Sequence, residues 1–592
     1  MTALKRNDAS IPFSDSPIFR IIRSVLITLV VCFALEATLF NWKFWFSLVG
    51  IIPSTAFIFS KTRFILLVLF GLLFHIFRPA SIIWNIRMDE LARGAKVALV
   101  CVFITLSIAL SSFSQLSGQA AWLESGAVYN SGIEAIQDGN QYNHLADALL
   151  SGSLSLDLPI SDLLLSMENP YDTPTRTALN KEAHEPIYWD YAFYDGQYYC
   201  YFGVIPCLIT FLPFKALTGI DLRTDFVVVF FGITCMLACA YLLYQLCQLY
   251  YRKLSLGSYV VGFLLLALSS GLLEQVFLPR IYPIPILSAL TFTLLGLSLW
   301  IKAKLRYQLS GKLSKRLLVM GSISAAFTLG CRPQYILVAL LALPIFYSEI
   351  RDKLFFSKRG ALNTLSVILP FIIVFIPIGI YNYLRFGSFF DFGAAYNLTG
   401  ADMTSYSFVP GKILVQVFEY LFLPFQGQAE FPYFCRINDS PISDVFPYLK
   451  TGEPFYAGFI FLTPSVLLLF SLFSKRIRAS LPDTSMRLYC YLSIVLALFE
   501  IVIASYVSGT NMRYFADFAW LLLIPTVMLY WSISSTLRKG YRLFNSIFAA
   551  TTLLGIALYS WTFLATTRFG HLDVESPRIF YAVKNALESL LP

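Results

Sequence analysis

The 592-residue chain is 57% hydrophobic and 16% aromatic but only 13% charged, which leaves too little polar surface to coat a water-soluble globule of that size. Its formal net charge of +9 invites a nucleic-acid reading, yet the basic residues stand in short clusters between apolar runs, where membrane topology accounts for them. Nucleic acid is set aside as a partner, and the chain is expected in a bilayer.

Apolar runs of about 15 to 25 residues recur from end to end, and a helix needs roughly 20 residues to cross the hydrocarbon core. Candidate spans begin near residues 25, 44, 63, 97, 226, 257, 282, 317, 334, 363, 456, 488, 514 and 544, with one more near 200. The expected fold class is an all-α polytopic membrane protein of about 13–15 transmembrane helices. N-terminal membrane segments fill 1–96, and a membrane module fills 97–383 with an outer loop at 115–199. A second outer loop follows at 384–455, then C-terminal transmembrane helices over 456–566 and a tail at 567–592. The polar start (Lys5, Arg6, Arg20, Arg23) lacks a small-residue cleavage pattern and leads into further spans, so it reads as an anchor. Most of the ten Cys, such as Cys32, Cys101, Cys235, Cys239 and Cys331, lie inside apolar segments and read as small hydrophobes. Cys200 and Cys435 alone fall near the outer loops, where an oxidising compartment could join them.

Charge sets the sidedness. Residues 115–199 hold twelve acidic side chains against two basic ones, Arg176 and Lys181, whereas 302–316 carries Lys302, Lys304, Arg306, Lys312, Lys315 and Arg316 with no acid. The positive-inside rule places that basic stretch in the cytoplasm, together with Arg351 to Arg359, Lys475 to Arg478 and Arg538 to Arg542. Segments 384–455 and 509–515 then face outward. Parity allows only an odd number of crossings over 200–250, which holds two apolar runs. The run 200–218, broken by Pro206 and Pro213, is the one expected to stay at the interface as a kinked or re-entrant helix. The same parity conflict among the three runs between 25 and 77 stays open.

The outer loop is long, and its aromatic content argues for order. Tyr188, Trp189, Tyr191, Phe193, Tyr194, Tyr198, Tyr199, Tyr201 and Phe202 crowd its return to the membrane, as an interfacial belt or a carbohydrate platform requires. Near its start stands Asp138-Gly-Asn-Gln-Tyr-Asn-His-Leu-Ala-Asp-Ala-Leu-Leu-Ser-Gly152. Tyr142, Ala146 and Leu149 share one face of a short helix, and Asp138 stands just before it as a helix cap or as a chemical group. His144 is expected on another face of that helix. The sequons at Asn397 and Asn438 read as coincidence.

At this motif the chain resembles the GT-C superfamily, the multi-span glycosyltransferases that take sugars from polyprenyl-phosphate carriers, especially the branch of protein mannosyltransferases and lipid A aminoarabinose transferase. Asp138, Tyr142, Ala146 and Gly152 match the family's first outer loop, while Gly139 stands where many members have Glu. Tyr201-Phe-Gly-Val-Ile-Pro206, Arg252-Lys-Leu-Ser-Leu-Gly257, Leu329-Gly-Cys-Arg-Pro333 and Arg513-Tyr514 follow in the family's order. At Arg280 the correspondence is weakest, because the Asp that often follows is missing. The resemblance implies a GT-C-like fold over 97–383 with 115–199 as the catalytic loop, in a multi-pass protein of the bacterial inner (cell) membrane. It further implies an inverting glycosyltransferase that moves a sugar from a polyprenyl-phosphate donor to a glycan, lipid or protein acceptor.

The chemistry suits those residues independently. An acceptor hydroxyl must lose a proton as it attacks the anomeric carbon, and a carboxylate at the outer face can take it; Asp138 is the expected general base. The leaving lipid phosphate needs guanidinium donors, which Arg332, Arg385 and Arg513 supply at that face. Tyr142, Asp195, Arg280, Asp391 and Tyr514 complete the expected substrate-binding set, with Glu274 as a further lining residue. No organic cofactor motif appears. A divalent metal stays open, although a lone Asp without an Asp-x-Asp pair leans against one. The competing readings are a polymerase or ligase of lipid-linked polysaccharide and a lipid or sugar transporter.

Overall fold

The computed structural model describes residues 17–39, 41–51, 53–54, 56–57, 59–116, 128–405, 408–437, 453–565, 572–575 and 577–588. Lys5, Arg6 and the Asn438 sequon lie outside them. Nearly all regular structure is helical. Among the described residues seven helices are long and apolar enough to cross a membrane: Arg63–Trp84, Thr224–Tyr250, Pro283–Ser310, Ala361–Phe386, Thr484–Val507, Met512–Thr536 and Tyr541–Leu564. Pro17–Thr38 and Arg93–Leu116 are also of spanning length, with 22 and 24 residues. Shorter apolar helices, Leu256–Leu268, Pro333–Ile345 and Pro464–Phe473, lie among them. Such a chain must satisfy its backbone within each segment when no water is near, and a helix does so residue by residue. Helices Thr224–Tyr250 and Pro283–Ser310 form the buried centre, where Phe231, Leu242, Leu287 and Leu294 are sealed. The outer helices instead expose apolar side chains such as Leu362, Ile373 and Val495, the pattern of a lipid-facing perimeter.

Side-chain contacts sort the connections into two ends. At one end the basic clusters gather: Arg542 bonds Asn85 at 2.8 Å, Tyr251 bonds Ser532 at 2.5 Å, and buried Lys304 reaches Ser485 at 3.2 Å and pairs with Glu349 at 3.2 Å. At the other end lie the loop from 128 to 203, residues 387–405 and 408–437, and the turn 509–515, tied together by contacts described below. The sorting of the basic clusters follows the sidedness expected from charge. Helix Val204–Thr218 begins and ends at the loop end, because Lys215 near its close pairs with Asp147 of the loop at 2.5 Å and with Asp221 at 2.6 Å. Its middle, Cys207–Phe211, is π-helical beside Pro206, and 15 residues at 1.5 Å each make only about 22 Å. The run near residue 44 forms only the seven-residue helix Trp42–Leu48. Two helices of spanning length therefore flank it, pinned together by the buried Arg63–Glu36 ion pair, and the parity conflict disappears. Cys200 and Cys435 are not joined in a disulfide.

The loop from residue 128 to 203 is folded. Strands β1 (Val128–Asn130) and β2 (Ala135–Gln137) make one antiparallel ribbon, and β3 (Ala192–Tyr194) and β4 (Gln197–Tyr199) make another. Between them run helices Gln141–Leu150, Asp162–Ser166 and Thr173–Ala183. The second loop completes this module: Ala192 bridges Asn397, the Asp190 amide donates to Leu398 O at 3.0 Å, and the Leu398 amide donates to Tyr191 O at 2.9 Å. Arg176, one of the loop's two cations, is buried and donates to the carbonyls of Pro170 (2.7 Å) and Thr399 (2.9 Å). It serves as a backbone staple between the loops, which satisfies acceptors that would otherwise cost desolvation energy.

Candidate active site

Asp138 ends β2's exit and precedes helix Gln141–Leu150, with Gly139 turning at φ 62°. Its carboxylate is 6% exposed and engaged on both oxygens. Tyr191 donates its hydroxyl at 2.6 and 2.9 Å, the Asn140 amide donates at 3.1 Å, and His144 Nε2 lies at 3.0 Å. The Asn140 bond is an Asx turn rather than a helix cap. Burial works to raise the Asp138 pKa, but the bonds from His144, Tyr191 and Asn140, with the charge of His144, outweigh it and hold the carboxyl below its usual value. His144 is therefore brought onto Asp138, contrary to the expectation that it sits on another face. The i to i+6 separation misleads because Asp138 stands before the helix, so the helical angle does not apply to it.

A small cleft of about 20 Å³ is lined by Glu274, Gln275, Leu278, Arg280, Tyr282, Pro283, Glu453 and Arg513. Arg513 is the centre of its polar wall. Its guanidinium lies 4.4 Å above the Tyr282 ring and 5.1 Å from that of Tyr514, pairs with Glu453 at 3.2 Å, and bonds Tyr514 Oη at 3.3 Å. Gln275 holds the Arg513 carbonyl at 2.9 Å. Two of its nitrogens, Nε and Nη1, are buried without a hydrogen-bond partner. A guanidinium left two donors short is costly unless something supplies acceptors. Tyr282 carries the cleft toward the loop, for its hydroxyl donates to the carboxylate of Asp190. Asp190, 6% exposed, adopts φ 63° and also meets Asn397 Nδ2 at 3.4 Å. A non-glycine residue in the left-handed region is strained, and Asp tolerates it better than most.

The remaining expected residues divide. Arg332 adjoins the cleft's back wall: it stacks 5.1 Å from Tyr514 and binds Asp517 through two bonds of 2.8 and 2.6 Å. Arg385 stands apart, buried on the rings of Tyr381 (3.7 Å) and Phe386 (4.5 Å) and bonded to Cys200 O at 2.7 Å and Asn382 at 2.9 Å. It locks a helix end to the loop and does not line the cleft. Asp391 makes no ion pair with Arg385; it accepts from the Gly393 amide at 2.8 Å in a turn. Asp195 and Gly196, at φ 49° and 72°, form the exposed two-residue turn between β3 and β4, as a hairpin of that hand requires. Tyr142 is completely buried, stacked 5.1 Å from Phe211, and its hydroxyl has no partner. Tyr142 therefore packs the loop onto the membrane helices.

Sequence reasoning passed over Asp190, Tyr282, Gln275, Glu453 and Asp517. Asp190 was hidden within the aromatic run from Tyr188, which hydropathy reads as a belt. The legible signals were Tyr282 two residues after Arg280 and Asp517 four after Arg513. Among the described residues no group of three or more His, Cys, Asp or Glu is placed to hold a metal ion. No protein-family model matches the chain, and neither a curated protein nor a solved structure matches it.

Proposed function

We propose that this integral membrane protein is a glycosyltransferase that moves a sugar from a polyprenyl-phosphate donor to a cell-envelope glycan, lipid or protein acceptor in the cleft beside the folded loop. One observation carries this reading: Arg513 presents two buried, unpartnered guanidinium donors in a cleft shared with Arg280. Planar donors of that kind match the oxygens of a phosphate, and they gain strength as the leaving phosphate gains charge. The ring of Tyr282 and the aromatic loop beside it suit a sugar face. A GT-C-like arrangement of about 13–15 spans, the seven long apolar helices with the shorter ones between them, and placement in a bacterial inner membrane with the loop outside belong to the same proposal. The sorting of basic clusters to the end away from the cleft supports that orientation. A polymerase or ligase of lipid-linked polysaccharide would use the same guanidiniums. Transport is favoured less, because the cleft's polar residues all belong to the loop end.

The test is binding of decaprenyl phosphate to the purified protein, followed by native mass spectrometry. Arg513→Met is expected to weaken it about 10- to 100-fold, the worth of hydrogen bonds to a charged group. Unchanged affinity would remove the reading. Mass spectrometry of envelope glycans from cells lacking the protein then identifies the transferred increment.

A further inference from the structure

We infer that Tyr282 and Asp190 form a proton relay for the acceptor hydroxyl, with Tyr282 facing the cleft and Asp190 behind it. The inference rests on the transferase reading above. Three observations lead to it. First, the carboxylate that the loop motif singles out, Asp138, is not turned to the cleft: both its oxygens are occupied by Tyr191, Asn140 and His144, and it is absent from the cleft walls. Second, Tyr282 is at once a wall of the cleft and the donor to Asp190. A hydroxyl can accept a proton on its oxygen while passing its own onward, so the chain from cleft to carboxylate needs no other group. Third, Asp190 of the first loop is held by the second: its amide donates to Leu398 O, Asn397 approaches its side chain, and its backbone stays at φ 63°. Strained, doubly anchored residues gather at reacting centres. Asp138 enters as a positioning residue, since its bond to Tyr191 fixes the residue next to Asp190.

In the step, the acceptor oxygen bonds to the anomeric carbon as the bond from that carbon to the phosphate oxygen breaks. The acceptor's proton passes to Tyr282 Oη, and the Tyr282 proton passes to the Asp190 carboxylate. The electron pair of the broken bond stays with the lipid phosphate, which gains one negative charge facing Arg513 and Arg280. Asp190 then returns its proton to water.

The experiment uses full-length protein in cells lacking the chromosomal copy, with the glycan mass increment as readout. Tyr282→Phe keeps the ring under Arg513, and Asp190→Asn keeps a residue that tolerates the left-handed backbone. Each is expected to reduce the increment about 100-fold or more, the usual contribution of positioned acid and base groups, while the purified variants still bind decaprenyl phosphate at least as tightly as wild type. Asp138→Ala should lose most of the increment and Asp138→Asn should restore it, because the amide oxygen still accepts from Tyr191. A wild-type increment from Tyr282→Phe or Asp190→Asn overturns the relay even when decaprenyl phosphate binds normally. If deletion changes no glycan, or the wild-type protein does not bind decaprenyl phosphate, the transferase reading fails and the relay goes with it.

Discussion

The pair between Arg332 and Asp517 offers the sharpest test of how the cleft is supported. Asp517 has no exposed side-chain surface and Arg332 is 20% exposed, so both charges are largely out of water. Two bonds of 2.8 and 2.6 Å join them. Arg332→Met leaves a buried carboxylate with no cation on it, which costs about 3–5 kcal/mol. Asp517→Leu leaves the guanidinium in the same position and costs a similar amount. The double variant removes both charges together and should recover most of the loss, since apolar replacement of a complete buried pair is close to neutral. SDS titration of purified protein in mixed micelles measures the three stabilities. Trp520 fluorescence reports on the locus, because its indole N–H donates to the Asp517 carbonyl at 3.0 Å. The double variant, which leaves the net charge unchanged, should keep decaprenyl phosphate affinity within about twofold, a change of roughly 0.4 kcal/mol, because the Arg332 guanidinium is turned onto Asp517. A single variant that costs less than about 1 kcal/mol, or a double variant that loses the sum of the singles, would refute the reasoning.

Further outcomes follow from other sites. Glu419 is 1% exposed, bonds Thr510 with one oxygen and leaves the other without a partner; burial pushes its pKa up to about 7 despite the Thr510 bond. Its folded-state value exceeds the unfolded one of about 4.5, so the folded protein holds the extra proton and this stabilisation is full below that value. It is lost as pH rises through about 7, at a cost of about 3 kcal/mol over that window. Glu419→Gln, permanently neutral, should flatten the heat-aggregation midpoint between about pH 5 and 8, and an unchanged pH profile would contradict the assignment. Tyr142→Phe removes a buried hydroxyl that has no partner and is expected to leave stability unchanged or raised with a full glycan increment; Tyr142→Ala should cost about 3–5 kcal/mol in the same SDS titration. At the turn between β3 and β4, Asp195→Asn should change nothing measurable, whereas Asp195→Val, β-branched at positive φ, should lower the aggregation midpoint.

The features legible in the sequence were those written in periodicity and charge. Apolar runs marked the long helices, and the clusters at 302–316 and 538–542 marked one end of the bundle. Parity with two prolines identified 200–218 as the run that returns to its own side, and the helix there does so. Within the candidate site, sequence order brought Arg280, Arg513, Tyr514 and Glu274 to one region, because each lies at a helix end on the same side. It could not rank carboxylates. Asp138 sits in a motif and so draws notice, but its solvation is decided by Tyr191, 53 residues later. Asp190 sits in no motif, and its link to Tyr282 crosses 92 residues. Arg385 misled for a related reason: a cation near an outer helix end looks available until the Tyr381 ring and the Cys200 carbonyl enclose it.

Electrostatic bookkeeping within the cleft bears on the relay. Arg280 and Arg513 line the cleft with Glu274 and Glu453, Asp190 stands behind Tyr282, and the Arg332–Asp517 pair adjoins them, which makes three cations against four anions. Helices Pro283–Ser310 and Phe515–Thr536 both start at this place, and each N-terminus contributes about half a positive charge. The site is thus near neutrality before any ligand enters, so a donor phosphate is accepted and then has to gain a second negative charge as it leaves. A proton arriving on Asp190 removes one anion at the same moment. The total charge of the enclosed region stays constant through the step, which avoids the large cost of unbalanced charge in a poorly solvated place. The corollary is directional: Asp190→Asn, neutral from the start, should bind decaprenyl phosphate more tightly than wild type, and the gain should shrink as ionic strength rises. Weaker binding by that variant would show that Asp190 helps to hold the lipid phosphate, and the charge-balance argument would fail.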